Sequence, residues 1–285
     1  MRRSLDDRVA IITGASSGIG AATAVACAER GARLVLNARR SDKLDAVATR
    51  VADKGAEVTT VVADVAAPDA SRQLLDAAEA RFGRFDVVFA NAGYALKKSV
   101  VEESTEELRK VFEVNFFASV DLLREAASRL LAQNRPGHLL MCSSCLSKFA
   151  LPFHGSYSAT KAAQNAICSA MRHELAPNGI YVSSVHPITT TTEFFDTCAT
   201  LSGQTPSGLP EHAPRMLVQP PERVARAVVR CLDRPCPEVW TSYLTRTTAG
   251  FMTMFPRFYE WAIRRQTKAE IKADGERTAE IPRSA

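Results

Sequence analysis

Short apolar runs rich in β-branched residues alternate with amphipathic stretches from the start of the chain to about residue 190. This alternation is typical of a parallel sheet with helices on both of its faces. The predicted strands cover residues 8–13, 32–36, 58–62, 86–90, 138–142 and 180–185. Long predicted helices cover 104–132, which opens on the capping-box pattern Ser104-x-x-Glu107, and 156–175. We therefore predict a single doubly wound α/β domain with a mostly parallel sheet of six to seven strands.

The pattern changes after residue 187. Residues 189–221 are rich in Thr, Ser, Pro and Gly and have little periodicity, which favours a loop region that covers a substrate. A further helix is predicted to start at Pro220-Pro221-Glu222. We predict that residues 1–250 form one domain and that 251–285 form an aromatic helical extension with a polar tail.

Composition and charge exclude several classes of protein. The 285 residues are 46% apolar and 24% charged, which is ordinary for a globular protein. A net charge of +5 without a long basic run gives little support for a nucleic-acid partner. No apolar run is long enough for a membrane-spanning helix or a secretory signal. Seven cysteines, an odd number, favour free thiols, so we expect a cytoplasmic protein.

No metal site is expected. The pair Cys142-x-x-Cys145 has no second pair to complete a zinc site. None of the five histidines has a metal-ligand spacing such as H-E-x-x-H. We expect the histidines to be structural or exposed, with His154 and His186 the ones that border the pocket.

A glycine-rich turn lies where the first predicted strand gives way to a helix. Its sequence is Thr13-Gly-Ala-Ser-Ser-Gly-Ile-Gly20. Glycines there let the backbone approach a pyrophosphate, and the helix N-terminus favours an anion. The turn thus predicts a dinucleotide site in a Rossmann-type domain, against the alternative of a tight turn that binds nothing.

The end of the second predicted strand indicates which dinucleotide is bound. An acid there would bond the ribose 2′-hydroxyl of NAD, but this chain reads Asn37-Ala-Arg-Arg40. A guanidinium suits a 2′-phosphate, so we predict NADP(H). We favour Arg39 as the phosphate ligand, with help from Ser16, and expect the other arginine to be solvated.

A phenol and an ammonium are neighbours on one predicted helix face, at Tyr157 and Lys161. A phenol ionises near pH 10, and a nearby cation pulls its pKa down toward the working range. Tyr157 is therefore a candidate proton donor to a carbonyl oxygen. Ser144 follows the fifth strand, at the sheet edge where ligands of such folds bind, and its hydroxyl can bond the substrate oxygen. Ser143 competes with it for that role.

Taken in order, these motifs resemble the short-chain dehydrogenases/reductases. The family pattern T-G-x-x-x-G-x-G, an acid after strand three, N-A-G after strand four, a helix Asn, a Ser and Y-x-x-x-K is present over roughly residues 5–195. The resemblance implies that Tyr157 is the acid/base and that Lys161 holds the nicotinamide ribose and lowers the tyrosine pKa. It implies that Ser144 orients the substrate oxygen and that Asn115 holds a proton-relay water, although Asn115 could instead cap a helix irregularity.

The resemblance also implies a set of cofactor contacts. They are Gly14, Ser16, Ser17, Gly18, Ile19, Gly20, Arg39, Asp64, Val65, Asn91, Ala92, Gly93, Tyr157, Lys161, Pro187 and Thr192. Asp64 and Val65 would hold the adenine, unless Asp64 merely caps a turn, and the Asn91-Ala-Gly93 segment would line the adenosine ribose. One departure is Pro187-Ile188, where the family has Pro-Gly; a β-branched residue does not easily take a positive φ. We therefore expect the backbone there to differ.

The function implied is hydride transfer between NADP(H) and the carbonyl or secondary alcohol of a hydrophobic small molecule. Candidate substrates are 3-oxoacyl thioesters and steroid-like, retinoid-like or long-chain lipid ketones. The alternative is a catalytically silent NADP-sensing or scaffolding protein on the same fold. By the resemblance we expect a homodimer or homotetramer.

An aromatic and basic segment, 251–265, ends the periodic part of the chain. Three interpretations are open. The segment packs on the body or on a second subunit, it roofs an apolar substrate channel, or it makes peripheral contact with a membrane interface through its aromatic rings and arginines.

Overall fold

The computed structural model describes residues 4–206, 208 and 218–265. Its centre is a seven-stranded parallel sheet with the order β3-β2-β1-β4-β5-β6-β7. The strands are β1 Val9–Thr13, β2 Arg33–Ala38, β3 Val58–Val62, β4 Val87–Ala90, β5 Gly137–Cys142, β6 Ile180–His186 and β7 Glu238–Trp240. The predicted single doubly wound α/β domain is confirmed.

Helices cover both faces of the sheet. They are α1 Gly18–Ala28, α2 Ser41–Ala52, α3 Ala70–Phe82, α4 Thr105–Phe112, α5 Ala118–Ala132, α6 Gly155–Leu175, α7 Phe194–Leu201, α8 Pro221–Asp233, α9 Tyr243–Met254 and α10, residues 256–265. Alternate residues of a strand point to opposite faces, and β1 is buried throughout. Ala10 and Ile12 therefore pack in one core cluster with α1, α2 and α8, while Val9 and Ile11 pack in the other with α3, α5 and α6.

Three elements differ from the sequence prediction. The helical stretch 104–132 is interrupted by a π-helical turn, Glu113–Phe117, although its capping box at Ser104 is confirmed. The region 189–221 was predicted to be a loop, yet it contains α7. The short strand β7 was missing from the six located strands because it has only three residues. Helix α9 spans residue 250, and the division of the chain there stays a prediction.

A buried carboxylate ties the start of β1 to the loops at the same edge of the sheet. Asp86 is 2% exposed, accepts the backbone N–H of Val9 at 3.0 Å and pairs with Arg84 and Arg135. Asp86→Ala is expected to lower the free energy of unfolding by about 3 kcal/mol, because it leaves a buried N–H and two cations without their partner. Urea denaturation measures this. Asp69→Ala, which removes an exposed carboxylate from a surface ion pair, is the control and should change stability far less; equal losses would contradict the argument.

Candidate active site

The glycine-rich turn lies at the carboxyl edge of the sheet, beside the crevice between β1 and β4 where the strand order reverses. Gly14 and Gly18 have φ values of +63° and +55°, which favour glycine. Asn91 braces the turn, since its Nδ2 donates to the carbonyl of Thr13 at 3.0 Å. The backbone N–H groups of Asn91 and Ala92 both donate to Thr13 Oγ1, at 2.9 and 3.1 Å. Asn91 and Ala92 therefore hold the glycine turn in place, and the expected contact of this segment with the adenosine ribose stays a prediction.

The turn leads directly into the N-terminus of α1. Ser17 is its N-cap, but its side chain makes no capping hydrogen bond, and no acid lies in the first turn formed by Gly18, Ile19 and Gly20. The backbone N–H groups of this first turn and the helix dipole favour an anion at this point. The site therefore fits a pyrophosphate.

A cluster of basic side chains stands beside this turn. Arg40 Nη2 donates to Ser16 Oγ at 3.2 Å and to Ser17 Oγ at 3.0 Å. The Glu193 carboxylate joins the cluster, because it pairs with Arg40 at 2.7 Å and with Lys43 at 2.5 Å. These two cations lower the pKa of Glu193, Lys43 having the larger effect. Sequence reasoning missed Lys43 and Glu193, since nothing in the chain pattern brings residue 193 to α2.

The side chain of Arg39 has a different partner from that of Arg40. Its side chain is largely exposed and reaches Asp64 at 3.5 Å. Asp64 Oδ1 also accepts the N–H of Ala66 at 3.0 Å, which is the turn-capping role considered as its alternative. Val65 follows directly, beyond the end of β3. Of the two arginines, Arg40 contacts the glycine turn, and the role of Arg39 as phosphate ligand stays a prediction.

The catalytic candidates meet where β5 ends and α6 begins. Ser144 follows β5, and Tyr157 stands in the first turn of α6, near enough for the Ser144 side chain to lower its pKa. Lys161 lies one turn further on; its Nζ is 5.3 Å from the centre of the Tyr157 ring and donates to the carbonyl oxygen of Cys142 at 2.7 Å. The structure therefore brings together the three side chains that the sequence singled out.

Asn115 lies in the π-helical turn and is completely buried. Its side chain accepts the N–H of Tyr94 at 2.9 Å, donates to the carbonyl of the same residue at 2.8 Å and donates to Thr160 Oγ1 at 3.2 Å. A Cβ built on Gly93 would lie 3.0 Å from Asn115 Oδ1 and 3.6 Å from Lys161 Nζ. Asn115 thus fixes the loop after β4 against α6, and Gly93 is the point of closest approach.

Burial sets the pKa values of the acid/base candidates. It raises the pKa of Tyr157 above its usual range, and the neighbouring Ser144 side chain offsets only part of this. It lowers the pKa of Lys161 to about 8. Desolvation of the phenol has the largest effect on its pKa in this structure, and the Lys161 ammonium binds a backbone carbonyl. That Lys161 makes the phenol more acidic stays a prediction. Tyr157 therefore keeps its proton at neutral pH, as a proton donor must.

The segment after β6 closes over the glycine turn. The carbonyl of Pro187 accepts the N–H of Cys145 at 3.0 Å, and Ile188 is buried. Ile188 has no positive φ, so its β-branched side chain is accommodated in an ordinary backbone conformation. Thr192 packs on Gly18, where an added Cβ would lie 2.9 Å from its Cγ2.

Aromatic side chains pack beside the catalytic candidate Tyr157. Phe194, at the start of α7, places its ring centre 5.6 Å from that of Tyr157, and Phe195 packs edge-on against Phe194. Sequence reasoning missed both because α7 was not predicted; the adjacent Phe-Phe pair in a polar region was the available signal. The cover over the phenol is therefore apolar.

The other candidate residues, Ser143 and His186 among them, make contacts within the fold. Ser143 Oγ donates to the backbone carbonyl of Lys161 at 3.0 Å, away from Tyr157. His186 is fully buried and stacked on Trp240 at 4.6 Å, and burial lowers its pKa to about 4. His212 lies outside the described residues. Within the described ranges the cysteines are free, no group of residues could hold a metal ion, and no helix is long and apolar enough to cross a bilayer.

Comparisons with known proteins agree with this geometry. A family model described as short chain dehydrogenase matches residues 8–200. An uncharacterized oxidoreductase of Methylorubrum extorquens is 37% identical over 226 residues, 79% of this chain and 90% of the relative. A short-chain dehydrogenase/reductase from Burkholderia phymatum in complex with NAD has a TM-score of 0.79 at 25% identity, covering 90% of this chain and 96% of that one. A short-chain dehydrogenase from Sphingobium yanoikuyae in complex with NADPH has a TM-score of 0.72 at 26% identity, covering 98% of each chain.

Proposed function

The chain belongs to the short-chain dehydrogenase/reductase family of oxidoreductases, and from that premise we propose that it reduces the carbonyl group of a hydrophobic small molecule with NADPH. The same site would catalyse the reverse reaction, the oxidation of a secondary alcohol. The observation that carries the proposal is the meeting of Ser144, Tyr157 and Lys161 where β5 ends and α6 begins.

The proposed cofactor is NADP(H). The backbone N–H groups at the N-terminus of α1 favour a pyrophosphate, and Arg40 with Lys43 supplies positive charge next to that turn. Arg39 is the further candidate for the 2′-phosphate. No acid stands at the end of β2, where a ribose 2′-hydroxyl would favour one. Support also comes from the NADPH complex of the Sphingobium relative.

The proposed mechanism divides the work among four side chains. The reduced nicotinamide, when bound, supplies the hydride that adds to the carbonyl carbon. Ser144 donates a hydrogen bond to the carbonyl oxygen, and Tyr157 gives that oxygen its proton. Lys161 stabilises the phenolate that remains, since its ammonium lies 5.3 Å from the ring. Asn115 fixes the loop after β4, and a water held there returns a proton through Lys161.

The proposed substrate is apolar around its carbonyl. Phe194 packs near the phenol and Phe195 extends that aromatic surface, so a substrate that reaches Tyr157 would meet aromatic rings. Such a cover disfavours small, highly hydrated ketones. The candidate classes remain 3-oxoacyl thioesters and steroid-like, retinoid-like or long-chain lipid ketones.

Ser144→Ala tests the assignment of the oxygen ligand. We expect kcat for reduction of a ketone panel with NADPH to fall about a hundredfold, because one hydrogen bond to the developing alkoxide is lost. The loss of NADPH absorbance measures the rate. Ser143→Ala is the matched control, since this neighbour bonds the Lys161 backbone; its rate should fall far less, although its stability should fall. A larger effect at Ser143 would reverse the assignment.

A further inference from the structure

The last two described helices carry an apolar face that the described part of the chain, residues 4–206, 208 and 218–265, leaves uncovered. We define the C-terminal apolar face by its exposed side chains. They are Tyr243, Leu244, Phe251, Met254, Phe255, Phe258 and Trp261. Met254 is 73% exposed and Trp261 is 57% exposed, so these are not core residues. An exposed aromatic patch of this kind marks an interaction surface.

The rings of this face form one continuous surface across both helices. Phe251 in α9 lies 4.6 Å from Phe255 and 5.3 Å from Phe258, measured between ring centres. Phe258 in turn lies 5.7 Å from Trp261. This side of the segment therefore does not pack on the described body of the chain.

The opposite side of the same helices holds them on the body. Ala249 is buried, and Thr253 Oγ1 donates to the carbonyl of Lys148 at 3.4 Å. Tyr259 donates its hydroxyl to the carbonyl of Ala150, and its ring packs on Phe149. Buried and exposed positions thus lie on opposite sides of α9 and α10, as in an amphipathic helix that rests on a surface.

The charge of residues 243–265 indicates which kind of partner this face fits. Residues 243–265 carry four arginines, at 246, 257, 264 and 265, and a single acid, Glu260. Arg265 also lies over the Trp261 ring at 5.8 Å. Aromatic rings flanked by arginines match the interfacial layer of a bilayer with anionic headgroups, where rings sit below the headgroups and guanidinium groups bind phosphate.

We propose that the C-terminal apolar face docks on the surface of an anionic lipid bilayer. A second copy of this chain fits less well. A symmetric dimer through this face would bring the same patch of each copy together, and the arginine-rich segments would repel each other. An anionic lipid surface covers the rings and neutralises the arginines at once.

Docking in this way would bring the lipid near the segment that joins Ser144 to α6. The helices rest on residues 148–150, a few positions after Ser144 and beside the start of α6. Apolar ketones partition into bilayers, so a substrate could pass from the lipid to Tyr157 over a short path. The docking proposal itself needs no catalysis and stands or falls separately from the proposed function.

Vesicle binding tests the proposal. The full chain should float with vesicles of phosphatidylcholine mixed with phosphatidylglycerol and bind far less to phosphatidylcholine alone, with binding reduced by salt. The chain has two tryptophans, Trp240 and Trp261, and Trp240 is partly buried against His186. The fluorescence of Trp261 should shift to the blue on anionic vesicles, and Trp261→Phe should remove that shift.

Paired variants distinguish docking through this face from nonspecific adsorption to vesicles. Arg264→Gln with Arg265→Gln should weaken vesicle binding about tenfold or more. Arg72→Gln with Arg124→Gln, which removes two exposed arginines elsewhere, should leave binding near that of the natural chain. Phe255→Ser with Trp261→Ser should abolish binding while the melting temperature stays close to that of the natural chain, because both rings are exposed.

Three outcomes would overturn the proposal. The first is absence of binding to anionic vesicles. The second is equal binding by the C-terminal and the control arginine variants. The third is a dimer, seen by sedimentation, that Phe255→Ser with Trp261→Ser dissociates, since the occupant of the face would then be a second copy of this chain.

Discussion

Tyr157→Phe is expected to slow ketone reduction by NADPH about a hundredfold to ten-thousandfold, the contribution of a positioned general acid. The substitution removes only the hydroxyl. The ring that packs near Phe194 and Lys161 remains, so neither the aromatic cover nor the burial of the ammonium should change. Because burial raises the pKa of Tyr157, the natural phenol holds its proton at neutral pH and is available to the carbonyl oxygen. Single-turnover absorbance measurements report the rate of this step.

Tyr94→Phe is the matched control. Tyr94 is also partly buried near the site, but its contacts with Asn115 are made by the backbone, so loss of its hydroxyl should leave the rate almost unchanged. NADPH binding should be the same in both variants. An undiminished rate in Tyr157→Phe would mean that another group donates the proton. NADPH binding without turnover of any ketone by the natural chain would favour the silent scaffolding alternative.

The strands and the grouping of Ser144, Tyr157 and Lys161 could be predicted because each depends on local sequence. A buried parallel strand reads as a short apolar run, as in β1 and β5, and the carboxyl ends of such strands share one edge. Tyr157 and Lys161 are one helical turn apart, so their proximity follows from helix geometry. Ser144 follows β5 directly, which places it at the same edge.

What could not be predicted depends on contacts between distant segments. The π-helical turn at Asn115 is stabilised by Tyr94 and Thr160, which lie in other elements. Helix α7 has only eight residues, so its formation owes more to packing than to propensity. The effect of burial on the pKa of Tyr157 could not be predicted for the same reason, since the sequence shows the neighbouring cation but not the depth of burial.

Arg40→Ala is expected to weaken NADPH binding about tenfold to a hundredfold, with little change for NADH. Arg40 contacts Ser16 and Ser17 of the glycine turn, so a 2′-phosphate beside that turn would gain charge-assisted hydrogen bonds from it. Arg39→Ala tests the prediction from sequence in parallel; a larger loss there would return the role to Arg39. Fluorescence titration with each cofactor measures the dissociation constants. Equal losses for NADPH and NADH would point to damage of the turn instead of loss of a phosphate ligand.

Glu193→Gln provides the complementary test because its expected effect has the opposite sign. The Glu193 carboxylate occupies Arg40 and Lys43, so a 2′-phosphate that uses these cations must compete with it. The amide binds them more weakly, and NADPH affinity should rise several-fold while NADH affinity stays constant. A general loosening of the glycine turn would weaken both cofactors and could not strengthen one of them. A gain specific to NADPH in Glu193→Gln, together with a loss specific to NADPH in Arg40→Ala, would therefore assign the phosphate to this cluster, and unchanged NADPH affinity in both variants would remove the cluster from cofactor selection.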